Sequence, residues 1–495
     1  MRNLFLLPAL IAGLGLILTG RATAQSFTNL YNFSVDFEFF NGNVSNSDGY
    51  GPNGSLILSG NTLYGTASQG GSWGSGTVFA VNTDGSDFTN LHSFTATSGS
   101  YPNYTNSDGN NPSAGLILAG STLYGTASSG GTNGNGTVFA ISTSGTVFTN
   151  LHCFAAEATN SLGRHTNSDG YNPVASLVLS GNTLYGTASA GGTNGCGTVF
   201  AINTNSTSFT NLHSFTATSG SLLTNSDGAT PVAGLILSGN TLFGTASEGG
   251  TNGYGTVFAI NTNGTGFTVL HTFAATTVPY PYTNSGGANP HGGLLLAGST
   301  LYGTTLWGGS GGAGTVFAIN TNGTGFTTLH SLTNSDGANP SASLILSGNT
   351  LYGIGGNVFA VNTNGSKFTV LMTFPGGVIY DPDNGTETNS VGYDSVGSLL
   401  FSGNTLYGTA SAGAIYGSGT VFSISLSPQL TIMRSGTNVI VTWPASFIGF
   451  TLEFATNLVP PTVWQTNSTA SVVISGQNVV TNPISGTKQF YRLTQ

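Results

Sequence analysis

Short apolar clusters of five to eight residues, rich in β-branched and aromatic side chains, alternate along this chain with runs of Gly, Asn, Asp, Ser and Thr. In "LYGTASSGGTNGNGTVFAI", residues 123–141, two such clusters flank a glycine-rich run without charge. Clusters of this length and composition, with no helical period, predict strands, and the glycine run predicts their connection. Leu123, Gly125 and Ala127 alternate with Thr122, Tyr124 and Thr126, so both faces are apolar or small. A sheet covered on both sides reads that way.

The same words return throughout the chain. The Leu of "LYGT" or its variant recurs at Leu63, Leu123, Leu184, Leu242, Leu301, Leu351 and Leu406, which defines seven copies of 50 to 61 residues. Each copy predicts four strands, A to D: "SLILSG", "NTLYGTAS", "GTVFAINT" and, after an Asn-Gly or Asp-Gly turn, "FTNLHSF". Four-stranded units covered on both faces stack as an open solenoid or close radially as a propeller. The place where the repeat is cut favours closure. The chain opens with a lone D strand, "FTNLYNF" at Phe27 to Phe33, and the seventh copy ends after its C strand, "GTVFSIS" at Gly419 to Ser425. An N-terminal strand closing the last blade would leave no bare sheet edge. The expectation is an all-β seven-bladed β-propeller of four-stranded blades.

The unit "LYGTASSGGTNGNGTVFAISTSGTVFTNLHCF" resembles the Gloeobacter/Verrucomicrobia (GloVer) tandem repeat of secreted bacterial proteins, over residues 27–424. Its strand order also resembles a kelch blade, although kelch's glycine doublet after strand B is here Gly-Thr, as at Gly125-Thr126. The resemblance implies a propeller-type exported protein and carries over no catalytic residue.

From Pro428 the vocabulary changes. Alternating strands around "VTWP", "GFTLEFATNL" and "FYRL", with Trp443 and Trp464 in their midst, predict a small β-sandwich and resemble a fibronectin-type-III-like module. At the other end, Arg2, the apolar run Leu4 to Leu18 and Ala22-Thr23-Ala24 have signal-peptide layout, so export to the cell surface or medium is expected. The domain reading is 1–24 signal peptide, 25–427 propeller and 428–495 sandwich, with no integral membrane span after signal removal and a monomer as the expected state.

Charge narrows the partners. Without Arg2 and Arg21, five basic residues face sixteen acidic ones, a formal charge of −11, so nucleic acid is not expected as a partner. Cys153 and Cys196 stand where sister copies carry other residues such as Ser214 and Asn135, and either a disulfide or two free thiols fits them.

Two repeated features invite a chemical reading. His92, His152, His213, His271 and His330 recur at one place in strand D, with Tyr31 and Met372 at the other two. Equivalent positions on successive outer strands do not converge on one ion, which favours packing over metal binding. "TNSDGxNP" before strand A carries Asp48, Asp108, Asp169, Asp227 and Asp336, replaced by Gly286 and Val391. Asp-Gly followed by Pro is turn chemistry. Outside the repeat, "DPDNGTE" offers Asp381, Asp383 and Glu387 as a calcium site, against the plainer reading of a solvated loop. No cofactor is otherwise expected.

Departures from the repeat are the better guide to function, because equal copies encode only the scaffold. The D–A and B–C links emerge on one face of a propeller. On them stand Trp73, Tyr101, Tyr104, Tyr254, Tyr280, Tyr282, Trp307 and Tyr416, where sister copies carry small or polar residues. Aromatics amid Asn, Thr and Ser suit the C–H faces and hydroxyl rims of sugars; the alternative is that they pack loops onto blades. The short links of the sixth copy, with Ile354-Gly355-Gly356-Asn357 as its B–C connection, would leave a notch beside Trp307. The leading expectation is an exported non-catalytic binding or surface-scaffold protein that holds polysaccharide or a cell-surface glycan. A carbohydrate-active enzyme, glycosidase or lyase, on the same face is the alternative, and a purely structural surface protein is the third. Arg164 and Lys367 are the only basic residues in 25–427, which weighs against an enzyme needing convergent acids and bases.

Overall fold

The computed structural model describes residues 26–34, 38–40, 43–99, 104–161, 163–277, 282–374, 379–381, 386–388, 397–426, 428, 430–445, 450–458, 462–474, 477–484 and 489–494. Among them there are strands and turns and no α-helix. The segment read as a signal peptide lies outside these residues. Two compact units are present, one of Asn29–Phe401 with Tyr407–Ser423, the other containing Ile424–Gln495 together with Ser402–Leu406.

Each repeat copy forms a four-stranded antiparallel sheet. In the second copy strands A to D are Ile117–Ala119, Thr122–Ala127, Thr137–Ser142 and Phe148–Cys153, paired in chain order. The glycine run between B and C exists because Gly130, Gly131, Gly134 and Gly136 all take φ between 71° and 98°, which side chains with a Cβ avoid. Gly125 within strand B has a different cause. A Cβ there would lie 2.6 Å from Cζ of Phe139 and 2.8 Å from Leu116, so the Phe of strand C and the Leu before strand A need the space.

Strand D carries a bulge opposite the C strand: Val138 pairs with His152 and Phe139 with Asn150, so Leu151 is the extra residue. Leu151 therefore packs in the core shared with the third copy, and the next residue, His152, stacks on Phe209 of that same copy. A regular strand would have sent these neighbours to opposite faces.

Cores lie between consecutive sheets. Phe94, Phe139, Leu123 and Leu116 join the first copy to the second, and equivalent clusters follow along the chain. A buried threonine of strand B crosses the gap in every copy but the sixth, where Ile354 takes its place: Thr66 Oγ1 donates to Ala114 O (2.8 Å) and Thr126 Oγ1 to Ala175 O (3.2 Å). The series returns on itself. Thr409 Oγ1 of the seventh copy donates to Gly54 O of the first (3.3 Å), and Tyr407 and Val421 share a core with Leu56, Leu63 and Phe79. At the start of the A strands the copies touch one another in turn. The backbone N–H of Ser343 donates to Ser398 Oγ (2.9 Å), that of Ser398 to Ser55 Oγ (2.8 Å), and Gly115 stands between Ser55 and Ser176.

The seventh sheet takes its outer strand from the other end of the chain. Ser26–Asn32 lies beside Thr420–Ser425, followed by Thr405–Ala410 and Leu400–Ser402. Phe33 N–H donates to Gly419 O (3.1 Å), Thr420 Oγ1 donates to Tyr31 O (2.7 Å), and the Phe33 ring is fully buried.

The C-terminal unit has a four-stranded sheet, Thr431–Ser435, Asn438–Pro444, Gln477–Pro483 and Val472–Ile474, and a three-stranded one, Gln465–Thr466, Thr451–Ala455 and Phe490–Thr494. Val441, Trp443, Leu452 and Val480 form its core. Trp464 does not join them: it lies under the Arg492 guanidinium, 4.3 Å from ring centroid to Cζ, while Arg492 also pairs with Glu453 (2.7 Å).

Candidate binding face

The D–A and B–C links lie together because strand B runs antiparallel to strand A, so the end of B is beside the start of A. One amide side chain ties them. Asn106 Oδ1 accepts the N–H groups of Gly109 (3.0 Å) and Gly131 (2.8 Å), and its Nδ2 donates to Thr95 O (2.9 Å) and Gly109 O (2.6 Å). Asn46, Asn167, Asn225 and Asn284 repeat this clamp. A bridge between Asn110 and Ser129 extends the pairing, and Asn111 N–H donates to Ser75 O (3.0 Å) of the preceding copy.

The Asp of the same turn is committed to protein donors. Asp108 accepts the backbone N–H of Thr95 (3.1 Å), the Thr95 hydroxyl and a contact from His92 Nε2 (3.0 Å). Asp169, Asp227 and Asp336 pair in the same way with His152, His213 and His330, at 2.8, 2.9 and 3.4 Å, and Asp48 accepts from Tyr31 Oη (2.7 Å). His92 stacks on Phe148 of the next copy, centroids 4.0 Å apart, and the other strand-D histidines stack likewise. The two repeated features singled out in the sequence are thus one device. Among the described residues no group of three or more His, Cys, Asp or Glu is placed to hold a metal ion. Cys153 and Cys196 are unpaired, and Arg164 Nη1 donates to Cys196 Sγ at 3.1 Å.

On this scaffold Trp73, Tyr104, Tyr282, Trp307 and Tyr416 are exposed, with residue exposures between 37% and 44%. Tyr282 of the D–A link and Trp307 of the B–C link, both in the fifth copy, meet edge to face at 6.2 Å and 83°. The bridge Ala288↔Trp307 holds the two links together. Trp73, Tyr104 and Tyr416 belong to the first, second and seventh copies. Tyr254 is half-buried against the core of the fourth and fifth copies, the packing role left open for these aromatics. Tyr101 and Tyr280 lie outside the described residues, as does Asp383. Asp381 and Glu387 fall in a short hairpin, Ile379–Asp381 with Thr386–Thr388, whose side chains are likewise outside the description. In the sixth copy the B–C connection is the two-residue hairpin Gly355-Gly356, with Gly356 N–H donating to Ala338 O (3.0 Å).

Residues 103–285 and 275–445 match the Gloeobacter/Verrucomicrobia repeat. The chain belongs to this repeat family. No curated protein matches it. Among solved structures, this Gloeobacter/Verrucomicrobia repeat protein is similar to an oligogalacturonate lyase from Vibrio parahaemolyticus (9% identity, 81% of this chain and 94% of that one, TM-score 0.48). An oligogalacturonate lyase in complex with manganese (11% identity, 77% and 90%, TM-score 0.44) and BamB from Moraxella catarrhalis (14% identity, 81% and 91%, TM-score 0.37) are also similar. Nothing about activity rests on likenesses this distant.

Sequence reasoning missed His291 and Glu248, both unique departures from the repeat. His291 occupies a place held by Asn53, Ser113, Val174, Val232 and Ser341 elsewhere, and that substitution among small residues was the available signal. Burial holds its imidazole below the ordinary pKa, and the opposing attraction of Glu248 does not restore it. Glu248 Oε2 accepts from Thr230 Oγ1 (3.1 Å).

Proposed function

We propose that this repeat protein is an exported, non-catalytic binding or surface-scaffold protein. In this reading the repeat sheets form a seven-bladed β-propeller, and the D–A/B–C face holds neutral polysaccharide. The C-terminal sheets form a small β-sandwich that serves as spacer or attachment. The observation that carries the binding role is the exposed edge-to-face pair Tyr282–Trp307, mounted on two links that the backbone bridge at Ala288 fixes in place. Rigid aromatics presented with little side-chain entropy to lose suit stacking on sugar rings. The surrounding Asn, Thr and Ser supply hydrogen bonds without charge.

A glycan-array screen of residues 25–495, followed by reducing-sugar assays on every polymer bound, tests this. Binding to neutral polymers without release of new reducing ends is the expected result. New reducing ends would replace the reading with a carbohydrate-active enzyme, and an array without any bound glycan would leave the structural role.

A further inference from the structure

We propose that the cavity where the A strands begin receives the terminal unit of a neutral, hydroxyl-rich chain, with His291 as the side chain that hydrogen-bonds it. This rests on the polysaccharide reading above and adds which part of the polymer is held.

The cavity measures about 90 Å³ and is open to solvent. A single water needs roughly 10–15 Å³ on such a measure, so there is room for several waters or for part of one small ring. It is lined by the serines and glycines at which the copies touch. Asn53, Ser113, His291 and Ser341 stand two residues earlier in their copies and line the same space. The lining is polar but contains no Asp, Glu, Lys or Arg. An ion would find no countercharge in the lining itself, Glu248 acting on His291 only from outside it, whereas a hydroxylated neutral molecule meets donors and acceptors.

The hydroxyls are oriented by the backbone. Ser398 Oγ accepts from Ser343 N–H and Ser55 Oγ from Ser398 N–H, so each keeps its own O–H to donate. His291 complements them. Because burial keeps its imidazole neutral near pH 7, it offers one donor and one acceptor, the pattern that a pair of adjacent sugar hydroxyls satisfies.

The cavity is also asymmetric in a way that gives the chain a direction. His291 lies three residues after Ala288, whose bridge partner is Trp307, and Trp307 meets Tyr282. The fifth copy thus carries aromatic surface on its links and a hydrogen-bonding ring at the cavity. A polymer whose last unit enters the cavity would lay its next units over Trp307 and Tyr282. An internal segment of a long chain would have to bend to reach His291.

The test uses residues 25–495 and a panel of linear neutral hexasaccharides, the β-1,4-linked oligomers of glucose, xylose and mannose, followed by calorimetry. His291→Phe and Ser113→Leu each fill the cavity from a different copy, and Trp307→Ala removes the aromatic platform. At least one hexasaccharide should bind, with affinity falling tenfold or more in both cavity-filling variants while their melting temperatures stay within a few degrees of the parent. On a molar-chain basis a long polymer of the same linkage should bind no more sites than the hexasaccharide, since only ends count. Hexasaccharide binding that is lost in Trp307→Ala but unchanged in both His291→Phe and Ser113→Leu overturns the end-binding inference and leaves the face reading standing. Failure of every hexasaccharide and its polymer to bind overturns both.

Discussion

Nε2 of His213 lies 2.9 Å from Oδ2 of Asp227, which joins the outer strand of the third copy to the turn that leads into the fourth. The Asp227 carboxylate also accepts the Thr216 backbone N–H and hydroxyl, and the His213 ring stacks on Phe267 at 3.9 Å. One side-chain pair therefore fixes a strand end, a turn and the adjoining copy at once.

Acid stability should follow from this pair. Burial by itself would raise the Asp227 pKa, but hydrogen bonds from His213 and Thr216 and the attraction of His213 hold it below the ordinary value. A folded pKa depressed below the unfolded one, about 3.9, gives stability that is present above that pH and lost as pH falls through the folded pKa. Asp227→Asn should lower the urea midpoint at pH 7 and flatten its decline between pH 5 and pH 2. Parallel midpoint curves for the two proteins would remove the pair from the acid response.

The fifth copy provides the converse case. Gly286 stands where five copies have the Asp, and burial pushes the His271 imidazole, without that partner, down to about 4. The unfolded chain binds that proton first, near pH 6.5, so this site costs stability as pH drops from about 6.5 toward 4 and no further below. Gly286→Asp should raise the His271 pKa, read by NMR titration of the imidazole, and remove that part of the pH dependence. The new Cβ meets Phe326 Cε1 at 3.3 Å, so the ring must yield slightly. An unchanged His271 titration would show that the carboxylate does not reach it.

Much of this was legible in the sequence. The strand words, the copy number and the displaced outer strand all follow from residue identity and spacing, because sheet periodicity and turn chemistry are local. The joining of His to Asp was not, since it depends on the bulge at Leu151 and its equivalents, which turns the histidine toward the next copy. A partial trace was nevertheless present: the sixth copy's Met372 is followed by Val391, so both partners are lost together there, although His271 is kept with Gly286 in place of the Asp. The Asn clamp hid inside a motif already explained as a turn. The departure at His291 could be seen in the sequence, but its place could not, because only the return of the series on itself brings its position toward the equivalent positions of other copies.

Backbone strain marks one place where the repeat can be improved. Gly51, Asn111, Asn172, Thr230, Asn289 and Asn339 all adopt φ between 54° and 65°, and Thr230 is the one β-branched residue among them. Such a residue in the left-handed region costs on the order of 1–3 kcal/mol. Thr230→Asn should raise stability by about 1 kcal/mol, measured by chemical denaturation, since it gives up the Thr230 contact to Glu248 while relieving the backbone. A loss of stability would mean that the Glu248 contact outweighs the strain.

The N-terminal strand should be indispensable to the seventh sheet. Phe33 is fully buried and meets Phe79 edge to face at 5.2 Å. Phe33→Ala should cost roughly 3–5 kcal/mol. Deleting residues 25–33 should in addition bare the edge of Thr420–Ser425 and promote association, visible as concentration-dependent sedimentation. A truncated chain that melts like the parent and stays monomeric would show that the strand contributes no closure.

The exposed aromatics decide between a binding face and loop packing. If Trp73 and Trp307 hold a neutral polysaccharide by stacking, raising the salt concentration should change affinity little, because no counterions are displaced. Trp307→Ala should weaken binding by about 1–3 kcal/mol and leave the melting temperature nearly unchanged, since the residue is already exposed to solvent. Trp73→Ala should behave alike if the bound chain reaches the first copy, and it should be silent if binding is confined to the fifth. Tyr254→Ala serves as the internal contrast: Tyr254 is half-buried against the core shared by the fourth and fifth copies, so its loss should lower the melting temperature. Should Trp307→Ala destabilise the fold as much as Tyr254→Ala does, the tryptophan is a packing residue and the face loses its principal anchor.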